Sequence, residues 1–338
     1  MQQTPNLIGE AKMKRRSVVM ASVYAGLAAP LSTPLRAQPV ALGQTLRIVV
    51  GYPAGGASDR AARLVAERLQ DKLKTTVIVE NRLGAGGRTA AQQLVNTPAN
   101  QTVMMLANPA VMVVAPLVVD NPGYHPARDF VPLSFVSEYE FGVAVGAALP
   151  VKQLSHMLAW MASNPDKANM GVPATGSLPH FFSLMLSYMT AAKSEIIGYR
   201  GSAPMITDLV GGQIPIAIDT VDSLVQQHEA GKIHLLATSG NRRSAWVSNV
   251  PTFKEAGAPI AATGWNVMYT PATTPKAVQE VLAKTLFEVM SEAATQNRFK
   301  AQKMDPVAMN QAQTVAALDA FVKQWVPVIK RSGFKASV

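Results

Sequence analysis

The 338-residue chain contains no cysteine. That excludes disulfides, thiolate metal sites, thiol nucleophiles and a lipid-modified N-terminal cysteine. Charge is also scarce, at 15% of residues against 48% hydrophobic. Such a chain has apolar side chains for a large core and argues against long disorder. No internal repeat stands out. No run of Lys and Arg with interleaved aromatics occurs, which argues against nucleic-acid binding. The histidines at 125, 156, 180, 228 and 234 form no i, i+4 pair around a Glu, so that metal-site pattern is missing. A G-x-S-x-G nucleophile elbow is absent as well.

What is present begins with a basic, then apolar, N-terminus. Lys12, Lys14, Arg15 and Arg16 precede a fourteen-residue apolar, Ala-rich run, residues 18–31, broken by Pro30. The run is too short for a membrane span. Leu35-Arg36-Ala37 follows as a loose cleavage site. Residues 1–37 therefore read as a secretory signal peptide, and the mature protein is expected to start near Gln38 in the periplasm. Arg15-Arg16 raises twin-arginine export, but Lys14 precedes the pair, and the general secretory route is the better match. Met13 is a second candidate start. Removing residues 1–37 takes away five Lys/Arg and one Glu, leaving 26 basic and 20 acidic residues, net +6. This mild, dispersed surplus suits a small anionic ligand.

The mature chain is read around Val49-Val50-Gly51-Tyr52-Pro53-Ala54-Gly55-Gly56-Ala57-Ser58-Asp59. An apolar strand breaks on Pro53 and Gly55-Gly56, and Ser58 or Asp59 is a helix N-cap candidate. The helix, residues 59–73, carries Ala61, Leu64 or Val65, and Leu69 on one face and Arg60, Arg63 and Glu67 outward. A strand, a glycine turn and a helix N-terminus make an anion site, because unpaired N–H groups and the helix dipole converge there. Gly55 and Gly56 are the expected N–H donors, so that a side chain at Gly56 would meet the ligand or be forced into an unfavourable φ. An ordinary tight βα turn would use the same residues.

Strand and helix alternate from there. Strands are expected at 46–50, 76–79 and 103–106 and helices at 59–73 and 89–95, an order that argues a parallel sheet. Residues 109–130 read as a Pro-rich loop and 141–148 as a strand. A second series places helices at 151–163, 178–191, 203–210 and 223–230, and strands at 169–172, 195–198, 214–219 and 233–238. A strand at 267–269 and helices at 276–294 and 314–329 close the chain. The layout is two α/β lobes, residues 45–143 plus 264–338 and residues 144–263. Two crossovers, near 141–149 and 264–272, would make a hinge with a ligand cleft between the lobes.

These residues carry a family resemblance. Val49 to Asp59 is similar to a strand-then-PxxGGxxD segment, and Val79-Glu80-Asn81-Arg82-Leu83-Gly84-Ala85-Gly86-Gly87 to V-E-N-R-x-G-A-G-G. Gly176-Ser177 with His180 resembles G-S-x-x-H. Tyr199-Arg200-Gly201-Ser202-Ala203-Pro204, Asp208-Leu209, Gly211-Gly212-Gln213 and Asp219 resemble Y-x-G-x-x-P…D-L…G-G-Q…D. Pro251-Thr252-Phe253, Glu255-Ala256-Gly257, Gly264-Trp265 and Pro271 to Pro275 complete the set. In order over residues 45–330, they resemble the tripartite tricarboxylate transporter substrate-binding proteins, also called Bug receptors. The departures are Pro98-Ala99-Asn100-Gln101-Thr102 in place of Pro-Asp-Gly-Tyr-Thr, Pro215 where an acid is common, and Pro179 before His180.

The resemblance implies a type II periplasmic-binding-protein-like α/β fold whose two lobes close on a small carboxylate: a di- or tricarboxylate, an amino acid or an aromatic acid. It implies ligand contacts from Ala54, Gly55, Gly56, Ser58 and Asp59 in one lobe. The other lobe would supply Thr175, Gly176, Ser177, His180, Arg200, Gly201, Ser202 and Asp219. Neither cofactor nor metal is expected, and the protein is read as monomeric, serving membrane transporter subunits. Asp59 and Asp219, acceptors when ionised, are read as orienting loops or meeting a ligand ammonium or hydroxyl. Trp265 is read as packing. A receptor feeding a signalling system, or a hydrolase using Ser177 and His180 in the same cleft, are the alternatives; the hydrolase would need an orienting third group and an oxyanion hole.

Overall fold

The computed structural model describes residues 42–190 and 194–336; the expected signal peptide, residues 1–37, lies outside them. The chain runs β1 (Thr45–Val50), α1 (Ala57–Leu73), β2 (Thr76–Asn81), α2 (Arg88–Val95) and β3 (Val103–Ala107). Short helical turns α3 (Ala115–Val118) and α4 (Pro126–Asp129) lead to a long strand, β4 (Phe130–Gly146). Next come α5 (Leu154–Ser163), β5 (Met170–Val172), α6 (Leu178–Thr190), β6 (Ile196–Gly198) and α7 (Ser202–Val210). The chain continues through β7 (Ile216–Thr220), α8 (Val221–Glu229), β8 (Ile233–Thr238) and β9 (Thr263–Pro271). It finishes with α9 (Lys276–Ser291), α10 (Ala293–Ala301), β10 (Asp305–Pro306) and α11 (Gln311–Arg331).

One mixed sheet holds these strands in the order β2-β1-β3-β9-β4-β7-β5-β6, with β8 and β10 also on β4. β1 pairs in parallel with β2 and β3, while β9 is antiparallel to β3 and β4. β4 changes partners along its length. Residues Phe130 to Glu140 pair with β9, and Phe141 to Gly146 pair with β7 and β8. β5 then runs parallel to β6 and β7.

β1, β3 and β7 are buried on both faces, which is why they read as apolar runs without alternation. In β1, Leu46, Ile48 and Val50 pack with Leu64, Val65 and Leu69 of α1 and Leu282 and Leu286 of α9. Val49 points the other way, into a cluster holding Leu94 of α2 and Phe321 and Trp325 of α11. Around β7 the same division recurs. Ala217 joins Met205, Leu209 and Leu224 from α7 and α8, whereas Ile216 and Ile218 join Met157 of α5 and Phe181 and Phe182 of α6.

Several expected boundaries shift. α1 begins at Ala57, not at Asp59. β4 is seventeen residues long, because Phe130 to Glu140 form strand where a Pro-rich loop was expected to end. The loop itself holds a wide helical turn, Ala110–Val114, and α3. α10 was not anticipated; its amphipathic signal is weak, with Thr295 and Phe299 its buried residues. α11 tolerates Pro327 near its C-terminus. Trp265 is buried against the rings of Phe135, Tyr269 and Phe321, a packing role.

Candidate functional site

The three parallel strands β1, β2 and β3 end together, and so do β5, β6 and β7. In such sheets ligands bind beyond the carboxyl ends of the strands, at the N-termini of the following helices. The sequence-predicted residues lie in the connections at these ends, in the first turns of the helices that follow, or near the end of β7.

The first turn is built differently from its expected form. Gly55, at φ 83°, occupies the left-handed region, whereas Gly56, at φ −70°, is in ordinary extended backbone. Gly56 is the N-cap of α1, and no side chain caps it. The cap-like role belongs to Asp59, from the third position inside the helix. Asp59 Oδ2 accepts the N–H of Gly55 at 2.8 Å, and the N–H of Gly56 points to the Pro53 carbonyl at 3.3 Å. The two glycine N–H groups expected to serve a ligand are therefore spent within the turn. At the start of α1, the N–H groups of Ala57, Ser58 and Asp59 have no partner among the described residues, ahead of the first helical bond, Arg60 N–H to the Gly56 carbonyl.

Asp59 is 2% exposed and fully engaged. Besides Gly55 it accepts from Arg63 at 3.0 Å and from Asn81 Nδ2 at 2.9 Å. Burial alone would raise its pKa, but the bonds from Arg63, Gly55 and Asn81 outweigh it and hold the carboxyl below its ordinary value. Asp59 thus has no oxygen left for a ligand ammonium. Asn81 also donates to the Tyr52 carbonyl at 2.9 Å, so the Asn of the V-E-N-R motif pins the first turn to the end of β2. Arg63, expected to point outward, is tied into this network, as is Arg60, whose Nη1 donates to the Gly55 carbonyl at 2.9 Å. Ser58 Oγ donates to Asn266 Oδ1 of β9 at 3.0 Å. Ala54 is exposed at the tip of the turn.

The neighbouring glycine turn presses on the first. Gly84, Ala85, Gly86 and Gly87 all have positive φ. A Cβ at Gly51 would stand 2.6 Å from Gly87 Cα, so these backbones meet with no room for a side chain.

In the second half, the turn after β5 is locked by His180. Its Nδ1 accepts the N–H of Gly176 at 3.0 Å, which places the ring proton on Nε2. The ring is buried, edge-on to Phe334 at 4.8 Å, and burial pushes its pKa down, so it is a neutral turn-holder. Ser177 Oγ accepts the backbone N–H of His180 at 3.4 Å, a capping contact. The imidazole is bonded to Gly176 and not to the Ser177 hydroxyl, so the pair lacks the geometry of a nucleophile and its base. Thr175 packs on the last residue of β6: a Cβ at Gly198 would fall 1.9 Å from Thr175 Oγ1. Gly201, at φ 110°, donates its N–H to the Pro173 carbonyl at 2.8 Å and launches α7 at Ser202. Arg200 is exposed and makes no hydrogen bond or ion pair among the described residues.

Asp219 is 2% exposed. Its Oδ1 accepts the N–H of Thr220 at 2.7 Å, and its Oδ2 has no hydrogen-bond partner. Burial pushes its pKa up to about 7, further raised by the Asp222 charge and partly offset by the Ser202 hydroxyl and the Thr220 N–H.

Three participants were not read from the sequence. Asp222, in the first turn of α8, faces Arg60 Nη2 of α1 at 3.9 Å, which links the two halves. Tyr139 of β4 lies near Tyr52, Asp222 and Asp219, all of which, after burial itself, raise its pKa. Its ring fills the space where a Cβ at Gly264 would come within 2.1 Å, which accounts for glycine before Trp265. Asn266 bridges Ser58 and Ser137, donating to the latter at 3.0 Å. No local pattern marks these side chains; the chain is brought to them from distant segments.

A family model described as tripartite tricarboxylate transporter family receptor matches residues 61–334. Protein BugT of Bordetella pertussis is 28% identical over 314 residues, covering 92% of this chain and 94% of that protein. A protein from the gbd 5′ region of Cupriavidus necator is 30% identical over 322 residues, covering 94% of this chain and 96% of its own length. Among solved structures, Rhodopseudomonas palustris Rpa4515 with adipate superposes with a TM-score of 0.79 at 27% identity, covering 86% of this chain and 98% of that one. The periplasmic binding protein BugD gives a TM-score of 0.76 at 27% identity, covering 87% and 99%.

Proposed function

The chain belongs to the tripartite tricarboxylate transporter family of receptors, and we propose that it is exported and captures a small carboxylate between two lobes for delivery to membrane transporter subunits. The family is one of solute-binding receptors rather than enzymes. The lobes would be residues 45–143 with 264–338, and residues 144–263. The observation that carries the reading is the row of unpartnered N–H groups at Ala57, Ser58 and Asp59, on the rigid turn held by Asp59 and Asn81. Converging N–H groups at a helix start bind a carboxylate with charge-assisted bonds.

Ala54, Gly55 and Gly56 then shape the approach to that N-terminus, and Ser58 adds a hydroxyl. On the other side, Thr175, Gly176, Ser177, Gly201 and Ser202 form the opposing wall, with His180 holding it in place, and Arg200 is the exposed cation that closure would bring to a ligand. The adipate bound to the Rpa4515 structure supports a dicarboxylate-sized ligand here. The receptor works as a monomer, with residues 1–37 removed on export; no helix among the described residues is long and apolar enough to cross a membrane.

Calorimetric titration with a panel of mono-, di- and tricarboxylates tests the binding, and small-angle scattering at saturation tests the closure. Saturable binding with a smaller radius of gyration supports the reading. Binding of none of the panel, or turnover of a bound acid, contradicts it. N-terminal sequencing of the exported protein should begin near Gln38.

A further inference from the structure

Resting on the carboxylate reading above, we propose that Phe334, in the tail after α11, is a positioning residue for the ligand. It reaches from the first lobe onto the second and holds His180, and through His180 the turn after β5, in the shape that receives a carboxylate.

The end of α11 aims this side chain. Ser332 is the C-cap of the helix, and Gly333 follows at φ 65°. The Gly333 N–H returns to the Lys330 carbonyl at 3.2 Å, and the Phe334 N–H reaches Ser332 Oγ at 3.1 Å. After such a left-handed ending, the next apolar residue commonly packs back on its own helix. Here the ring crosses to α6. It stands edge-on to His180 at 4.8 Å and to Phe181 at 5.9 Å. A Cβ at Gly176 would meet Phe334 Cε1 at 3.4 Å, so the ring lies over the turn itself.

The tail is tied to the other lobe on its far side. Ala336 donates its N–H to the Val118 carbonyl of α3 at 3.0 Å, and Lys335 pairs with Asp120 at 3.4 Å. The ion pair is largely exposed and contributes little, so the backbone bond is the firmer tie. α11 itself packs on α3 and α9, both of the first lobe. Five residues therefore run from one lobe to a wall of the candidate site in the other.

His180 passes this contact on to the ligand wall. Its Nδ1 holds the Gly176 N–H at 3.0 Å, and a ring free to rotate would release it. Phe334 covers the imidazole. Burial, which the phenyl ring supplies in part, pushes the imidazole pKa down and keeps the neutral form, whose Nδ1 accepts a bond. A wall already held in shape loses less freedom when a ligand arrives. Ligand that draws the lobes together also keeps the tail seated, so the two events favour each other.

The experiment compares wild type, Phe334→Ala and Phe334→Tyr. Calorimetry and stopped-flow use succinate, adipate, citrate, glutamate and benzoate, and NMR follows the His180 imidazole titration in the ligand-free protein. Phe334→Ala should bind the best of these acids about fivefold to tenfold more weakly, chiefly through faster dissociation. Its His180 pKa should rise towards the ordinary value as the ring is uncovered. Phe334→Tyr keeps the aromatic ring and should restore both. Phe334 is half-buried and outside the regular elements, so the alanine variant should fold; Phe334→Leu takes its place if it does not. A purely structural role would lower the melting temperature and leave affinity and His180 unmoved, which overturns the proposal and leaves the carboxylate site standing. Weaker binding with His180 unmoved, or a shifted His180 with unchanged affinity, overturns it too. Wild type that binds none of the five acids overturns both readings.

Discussion

Asp59 and Gly55 face each other across the first turn, with the Gly55 N–H bonded to Asp59 Oδ2 at 2.8 Å. The glycine turn is thus held from inside the helix it begins. Its rigidity comes from a carboxylate that the ligand cannot use, and its free donors sit one residue further along.

Replacement of Asp59 should therefore be felt in stability. Asp59→Ala leaves Gly55 N–H, Asn81 and Arg63 without their shared acceptor, and should cost about 2 kcal/mol, allowing for the exposure of Arg63. The carboxyl is held below its ordinary pKa, so its contribution is present above the unfolded value and lost as pH falls through the folded one. Urea denaturation should show the gap at pH 7 and show it closing below about pH 4. Equal stability of variant and wild type at pH 7 would remove Asp59 from this role.

Gly51→Ala should be more damaging than Gly56→Ala. The new methyl at Gly51 meets backbone, Gly87 Cα at 2.6 Å, whereas at Gly56 it finds one carbonyl at 3.3 Å and an ordinary φ. Overpacking against backbone should cost about 2–3 kcal/mol. Gly56→Ala should stay within about 1 kcal/mol of wild type. Thermal melts of the two variants distinguish them, and the reverse order would contradict the observed turn.

Glu140 marks the point where β4 changes partners, and its Oε2 is buried without a partner. Burial, then the Asp305 charge, push its pKa up to about 7 against the pull of Arg242 and Thr238, with Glu138 adding to the rise. The folded protein therefore binds more protons here than the unfolded chain, so stability falls as pH rises from about 4.5 towards 7. Glu140→Gln should remove this slope and gain about 1 kcal/mol at pH 8, a figure reduced for the partial exposure of the side chain. Denaturation at pH 5 and pH 8 checks it; a variant less stable than wild type at pH 8 would show that the charge is paired.

Much of the fold was readable from the chain. β1, β3 and the helices on them are long, apolar and punctuated by glycine, and they form as expected, because burial on both faces makes apolar runs. The first half of β4 was not readable. Polar Ser134, Ser137 and Glu138 interrupt it, and their partners on β9 lie more than a hundred residues away in sequence. The site was legible at the level of turns and not of atoms. The motif residues Asn81, Gly87, His180 and Gly264 earn their identities by holding backbone or making room, through contacts that no local pattern reveals. Arg60 and Asp222, separated by most of the site, meet through tertiary structure alone.

The most direct measurement of the carboxylate site uses Ala57→Pro. Ala57 is the first residue of α1, where proline is well tolerated because no helical acceptor is waiting for its N–H. Gly56, at φ −70° and ψ 166°, already has the extended backbone that a following proline requires. The substitution deletes one proposed ligand donor and little else. Calorimetry with the carboxylate that wild type binds most tightly should show affinity weakened about tenfold or more, as expected for a lost charge-assisted bond, with the melting temperature unchanged. Unchanged affinity in a folded variant would contradict the account and move the carboxylate away from the start of α1.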